Sequence, residues 1–177
     1  MIQVYNSFHP TSIYRTSLDI DNNYKQECID EIYRLGDSMN HTSNIKALMT
    51  TYWVFNESSL FNPLLDSILQ EIKICHWASN PEDSFIVRTA WGAVYKENEE
   101  TIPHSHGNNL LSFVLYLQTD QTSSPITFHT SPEITIFPQI NDLLIFKSDI
   151  IHSVPPQPKV INNGRVVFAG NIIETVN

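Results

Sequence analysis

The sequence has no apolar run approaching the length of a membrane span, few basic residues and only two cysteines. Each shortage removes a class of protein. A membrane helix needs about 20 consecutive apolar residues, so a soluble chain without a membrane partner is expected. Ten Lys and Arg stand against nineteen Asp and Glu, a net charge of −9. That balance argues against nucleic acid as the main partner, because phosphate binding rests on clustered cations. Cys28 and Cys75 fall in segments patterned as helices, and no signal peptide is expected before them. Free thiols in a reducing, cytoplasmic compartment are therefore expected in place of a disulfide framework. Internal repeats and low-complexity tracts are absent as well. The 177 residues, 41% of them hydrophobic, read most simply as a single domain with a sizeable core, able to stand alone or as a homodimer.

What is present falls into two parts. Residues 1–84 read as strands and supporting helices. Ile2–Tyr5 suggests an edge strand, followed by a polar stretch from Asn6 to Ser12. Helix caps cluster at Asp19 to Asn23, and Tyr24, Cys28, Ile29, Ile32, Tyr33 and Leu35 recur at helical spacing until Gly36. A polar connection from Ser38 to Asn44 leads to Leu48–Phe55, which reads as a strand containing Trp53. Glu57–Trp77 carries Leu60, Leu64, Leu65, Ile68, Ile72 and Cys75 on one helical face, with Pro63 near its start. Ser79–Ser84 is a turn-rich boundary. From residue 85 to 177 the pattern changes to short strands: Phe85–Tyr95, Leu110–Gln118, Ile126–Phe128, Ile134–Phe137, Asp142–Phe146 and Arg165–Ile173. Strands at this spacing predict a β-sandwich or jelly roll, mainly β, with two N-terminal helices covering the outside of one sheet.

Three histidines stand out in the second part. His104 and His106 lie in Thr101-Ile-Pro-His-Ser-His-Gly107, and His152 in Asp149-Ile-Ile-His-Ser-Val154. Two histidines one residue apart on an extended strand point to the same face. A third imidazole from a distant strand, just beyond a strand end, would complete one face of a coordination sphere and leave the opposite positions open. The acids of Glu97-Asn-Glu-Glu100 read as solvated, since no spacing ties them to the histidines. Pro155–Pro158 through Gly164 reads as a loop following His152, either a spacer or a border of the substrate.

Four ordered segments carry a resemblance. Tyr95 followed nine residues later by the first histidine of Pro103-His104-Ser-His106, then Pro138-Gln-Ile-Asn-Asp-Leu-Leu-Ile-Phe146 leading to His152, then Asn163-Gly-Arg165, resembles the core of the iron(II)- and 2-oxoglutarate-dependent oxygenases. The prolyl 4-hydroxylase-like members and a set of uncharacterised bacterial and phage relatives are the most similar. The resemblance covers about half the chain, Trp91–Ile173. It implies a double-stranded β-helix, a cupin-like jelly roll. It also implies that iron(II) is held by His104, His106 and His152, that O2 and 2-oxoglutarate are co-substrates, and that hydroxylation of a further substrate accompanies formation of succinate. Arg165 would hold the far carboxylate of 2-oxoglutarate, aided by Tyr95 and, more weakly, Tyr116. Asn141 stands where a glycine is usual, and Asn tolerates the positive φ such a turn needs.

The family's usual triad carries Asp or Glu where this chain has His106. A neutral imidazole in that place leaves the ion one charge unit more positive and widens the choice of metal to zinc, copper and nickel. Two alternatives follow: a cupin-like three-histidine metal enzyme that does not use 2-oxoglutarate, and a non-catalytic β-sandwich with histidines lining a groove. Trp91 and Trp53 are pocket-lining or packing residues. His9, His41, His76 and His129 lack triad spacing, although His129 follows a core strand and is close enough in the pattern to approach the mouth.

Overall fold

The computed structural model describes residues 3–6, 12–37, 43–74, 84–120, 122–159 and 164–175. His9, His41, His76, Cys75 and residues 79–83 of the turn-rich boundary lie outside them. The order of elements is β1 (Gln3–Asn6), β2 (Ser12–Ser17), α1 (Asn22–Leu35), β3 (Ile45–Lys46), β4 (Leu48–Met49), α2 (Val54–Glu57) and α3 (Asn62–Ile74). The strands that follow are β5 (Ser84–Tyr95), β6 (Glu100–His104), β7 (Leu111–Gln118), β8 (Ile126–Phe128), β9 (Ile134–Ile136), β10 (Asp142–Lys147), β11 (His152–Val154) and β12 (Arg165–Thr175). Among the described residues no helix is long and apolar enough to cross a membrane.

Two sheets face each other. The larger runs β1-β2-β10-β7-β12-β5-β4 and the smaller β3-β6-β11-β8-β9, a double-stranded β-helix. The side-chain period of two divides the apolar residues of the larger sheet between two cores. Phe113, Leu115, Leu117, Leu143, Ile145, Val166 and Phe168 point outward and pack with Cys28, Ile29 and Ile32 of α1 and Leu64, Leu65, Ile68 and Ile72 of α3. Tyr116, Leu144, Phe146, Val167, Ala169, Trp91, Ala93 and Tyr95 point inward against Ile126, Phe128, Ile136 and Val154 of the smaller sheet. Strands buried on both faces read as continuous apolar runs, as Leu111–Gln118 does. The helices thus cover the outside of one sheet, as expected.

Local chemistry sets the ends of the elements. Asp21 caps α1, its carboxylate accepting from the backbone N–H of Asn23 and Tyr24 at 2.9 and 3.0 Å. Close approach of α1 to the sheet depends on Gly92: a Cβ there would lie 2.4 Å from Ile32 Cγ1. Asn141 adopts φ +70°, the left-handed turn expected before β10.

Three expectations are corrected. Leu48–Phe55 is not one strand: only Leu48–Met49 pairs with β5, Trp53 makes an isolated bridge to Ala90, and the chain then turns into α2. Threonine side chains divert the backbone here. The Thr50 hydroxyl accepts from Gly92 N–H at 3.0 Å, and Thr51 hydrogen-bonds the Glu57 carboxylate. The helix read over Glu57–Trp77 is broken, with a 3-10 turn at Ser59–Phe61 and α3 beginning at Asn62. Pro63 has no N–H to donate four residues back, so one helix cannot run through from Glu57. Ser12, read as the end of a polar stretch, opens β2 (Ser12–Ser17), which lies between β1 and β10, tied by an Arg15–Asp142 ion pair of 2.6 Å.

Candidate metal centre

The three histidines converge at the mouth between the sheets. His152 is directly opposite His104 across the antiparallel β11–β6 pair, so both rings project from the same face of the smaller sheet into the interior. His152 lies beyond the end of β10 and itself opens β11, a short strand not read from the sequence. The His104–His106 pair does not share one strand either, since β6 ends at His104. His106 is placed by two backbone anchors: its N–H donates to the Ser148 carbonyl at 2.7 Å, and the Asn109 side chain donates to its carbonyl at 2.8 Å. Ring centroids are separated by 4.9 Å for His104–His106, 4.4 Å for His104–His152 and 5.2 Å for His106–His152. One ligating nitrogen from each lies within 4.8 Å of the others.

Two of the rings have their tautomers fixed. His104 Nδ1 lies 2.9 Å from the Ile102 carbonyl and His152 Nδ1 2.9 Å from the Ile150 carbonyl. A carbonyl only accepts, so Nδ1 carries the proton and Nε2 keeps its lone pair for the interior. Phe146 and Phe128 pack against His152 with centroids at 4.8 and 6.0 Å. Burial disfavours protonation of all three rings, holding His106 down to about 4 and His152 to about 3, with the neighbouring His104 lowering each further. At neutral pH the cluster consists of three uncharged nitrogen donors.

The cavity holding these rings, about 40 Å³, is also lined by Trp91, Tyr95, Thr101 and Arg165. Arg165 heads β12 and is 1% exposed. Its guanidinium donates to the Ser124 carbonyl at 3.1 Å and to the Tyr116 hydroxyl at 3.3 Å. Its carbon lies 5.1 Å from the Tyr95 ring centroid and 4.9 Å from that of Tyr116. Nε has no partner, and among the described residues no carboxylate pairs with this cation. Burial raises both tyrosine hydroxyls, Tyr116 to about 12, so each stays protonated. The Tyr95 hydroxyl hydrogen-bonds Thr101 at 2.7 Å.

The other expected residues fall elsewhere. Trp53 does not reach the cavity and is 53% exposed. His129 lies on the outer face of the smaller sheet, held between Glu133 at 3.1 Å and Ser153 at 2.9 Å. Ser124, Thr101 and the carbonyls of Ile102 and Ile150 were not singled out by sequence reasoning. The carbonyls had a signal, because the acceptor is in each case the residue two before the histidine. Ser124 had none, being remote in sequence from Arg165.

Fold and site together define a double-stranded β-helix protein with three histidines at its mouth, spaced so that they could hold one metal ion. No family model and no curated protein matches the chain. Solved structures do. The viral collagen prolyl hydroxylase of Paramecium bursaria Chlorella virus-1, in its 2OG complex, aligns with a TM-score of 0.68 at 11% identity, over 93% of this chain and 96% of that one. A Pseudomonas putida prolyl-4-hydroxylase aligns at 0.69 and 13%, over 93% of both chains. An oxidoreductase of the 2OG-Fe(II) oxygenase family from Burkholderia pseudomallei aligns at 0.67 and 12%, over 90% and 84%. The chain therefore has the fold of the 2OG-Fe(II) oxygenases. Its cluster of candidate metal ligands is an all-histidine triad and departs from the two-histidine, one-carboxylate set.

Proposed function

We propose that the protein is a non-haem metal-dependent oxidoreductase whose ion is held by His104, His106 and His152. The observation that carries this reading is the convergence of three neutral imidazoles, two with their second nitrogen tied to a carbonyl, on one side of a cavity. The donor set fits a divalent transition metal such as iron(II). An all-imidazole set matches a three-histidine enzyme independent of 2-oxoglutarate more closely than a carboxylate-containing centre. When bound, iron would supply the redox chemistry that activates O2. The protein's part is to keep the imidazoles unprotonated, orient them through Ile102 and Ile150, and shield the interior face with Phe146 and Phe128.

A second reading, 2-oxoglutarate-dependent hydroxylation, rests on Arg165. A buried guanidinium with no carboxylate partner among the described residues and an unpartnered Nε calls for an anion. A carboxylate of 2-oxoglutarate would meet that need, with the Tyr116 hydroxyl beside it and Tyr95 stacked against the cation.

Anaerobic reconstitution with iron(II), followed by 2-oxoglutarate and oxygen, separates the readings. Succinate formation, with Arg165→Ala weakening 2-oxoglutarate binding at least tenfold while sparing iron, is the outcome of the second. Iron bound without affinity for 2-oxoglutarate leaves the three-histidine reading alone. Absence of iron binding defeats both.

A further inference from the structure

We infer that Trp91, Tyr52 and Trp53 form a path by which oxidising equivalents leave the three-histidine centre for the surface, with Trp53 the residue that is finally oxidised. This rests on the redox-metal reading above and concerns residues outside the ligand set. The Trp91 ring stands 5.8 Å from His106, centroid to centroid. Tyr52 meets Trp91 edge-on at 5.3 Å, and Trp53 meets Tyr52 edge-on at 6.4 Å. Exposure rises along the series, 4% for Trp91, 37% for Tyr52 and 53% for Trp53. Indoles and phenols are the aromatic side chains that give up an electron readily. The phenyl rings of Phe146 and Phe128 that cover His152 do not, so an electron-donating aromatic route from the cluster runs through His106.

Proton placement gives the path its direction. Trp91 Nε1 is buried without a hydrogen-bond partner, so an oxidised indole there has no acceptor for its proton and remains a strong oxidant. The Tyr52 hydroxyl has one, donating to Ser43 Oγ at 3.3 Å, and the ring is in part exposed to water. An electron from Tyr52 can therefore fill the hole on Trp91 while the phenolic proton moves outward, and Trp53 can in turn supply Tyr52. With hydrogen peroxide as the oxidant the sum balances. Two electrons drawn from the Trp53 indole, with two protons, reduce peroxide to two waters, and one water adds to the ring. The net change is indole plus peroxide giving hydroxyindole plus water.

The test loads the protein with iron(II), measures iron binding, adds peroxide without any other substrate, and maps oxygen addition by peptide mass spectrometry. In the native chain the added oxygen should be concentrated on Trp53, and the zinc-loaded protein should show several-fold less. Tyr52→Phe keeps the ring but removes the middle donor. It should bind iron equally, lower Trp53 oxidation several-fold and shift the added oxygen to Trp91 and His106. Trp53→Phe should move it to Tyr52. Equal Trp53 oxidation in Tyr52→Phe and native protein, or in zinc- and iron-loaded protein, overturns the path while leaving the metal reading intact. Failure to bind iron at all overturns the metal reading and the path with it.

Discussion

At the scale of single residues, the site is a set of polar groups held away from water before any ligand arrives. His152 is 5% exposed and uncharged, fixed by one carbonyl and packed between phenyl rings. Such burial links folding to pH, and the sign follows from the direction of the shifts. Free imidazoles titrate near 6.5, whereas in the folded chain His106 and His152 are held to about 4 and about 3. Below 6.5 the unfolded chain takes up protons that the folded chain refuses. Stability is therefore full above 6.5 and is lost progressively as the pH falls toward those lower values. Thermal melts of metal-free protein from neutral pH to about 4 should show a falling Tm, and His152→Leu should flatten the slope. An equal slope in the variant would show that the buried histidines do not govern it. The histidine spacing was legible at this scale, because each ligand is a residue type with few other uses in a buried place. The lack of a carboxylate partner for Arg165 among the described residues was not, since a sequence names the cation and is silent on what surrounds it.

Elements were legible where period and punctuation agreed. The spacing from Tyr24 to Leu35 between Asp21 and Gly36 gave α1 nearly to the residue, and the β-rich runs gave β5, β7, β8, β10 and β12. Asn141 announced its turn through the one conformational freedom it shares with glycine, and its φ of +70° agrees. Short polar strands carried no such signal. β2 exists because β10 pairs with it along Asp142–Phe146 and Arg15 reaches Asp142 at 2.6 Å, contacts fixed by residues more than a hundred positions away. The stretch after Met49 failed for the opposite reason, its apolar residues suggesting a strand while threonine hydroxyls accepted backbone N–H groups, Thr50 that of Gly92 and Thr51 that of Trp53. A strand interior chosen for space makes the corresponding test. Gly92→Ala brings a methyl group to within 2.4 Å of Ile32 Cγ1 and must push α1 off the sheet or twist β5. A loss of about 1–3 kcal/mol is expected in denaturant unfolding. Combination with Ile32→Ala, which removes the γ carbons that the new methyl group meets, should cost less than the sum of the two single changes. Strict additivity would mean that the two groups do not meet.

Across the whole molecule, function depends on register between distant strands. His152 faces His104 because β11 lies antiparallel to β6, and Arg165 enters the same cavity because β12 runs between β7 and β5 in the opposite sheet. One sheet supplies His104 and His152, the other the guanidinium, and the loop after β6 supplies His106. The order of motifs in the sequence allowed this assembly to be expected. The cross-sheet placement of each group needed the coordinates. The most direct test of the account is the X-ray absorption spectrum of the protein loaded anaerobically with one equivalent of cobalt(II). The expected result is a single bound ion whose scattering shows three imidazoles, falling to two in His106→Ala. A spectrum with fewer than three imidazoles in the native chain, or one unchanged by His106→Ala, would contradict it.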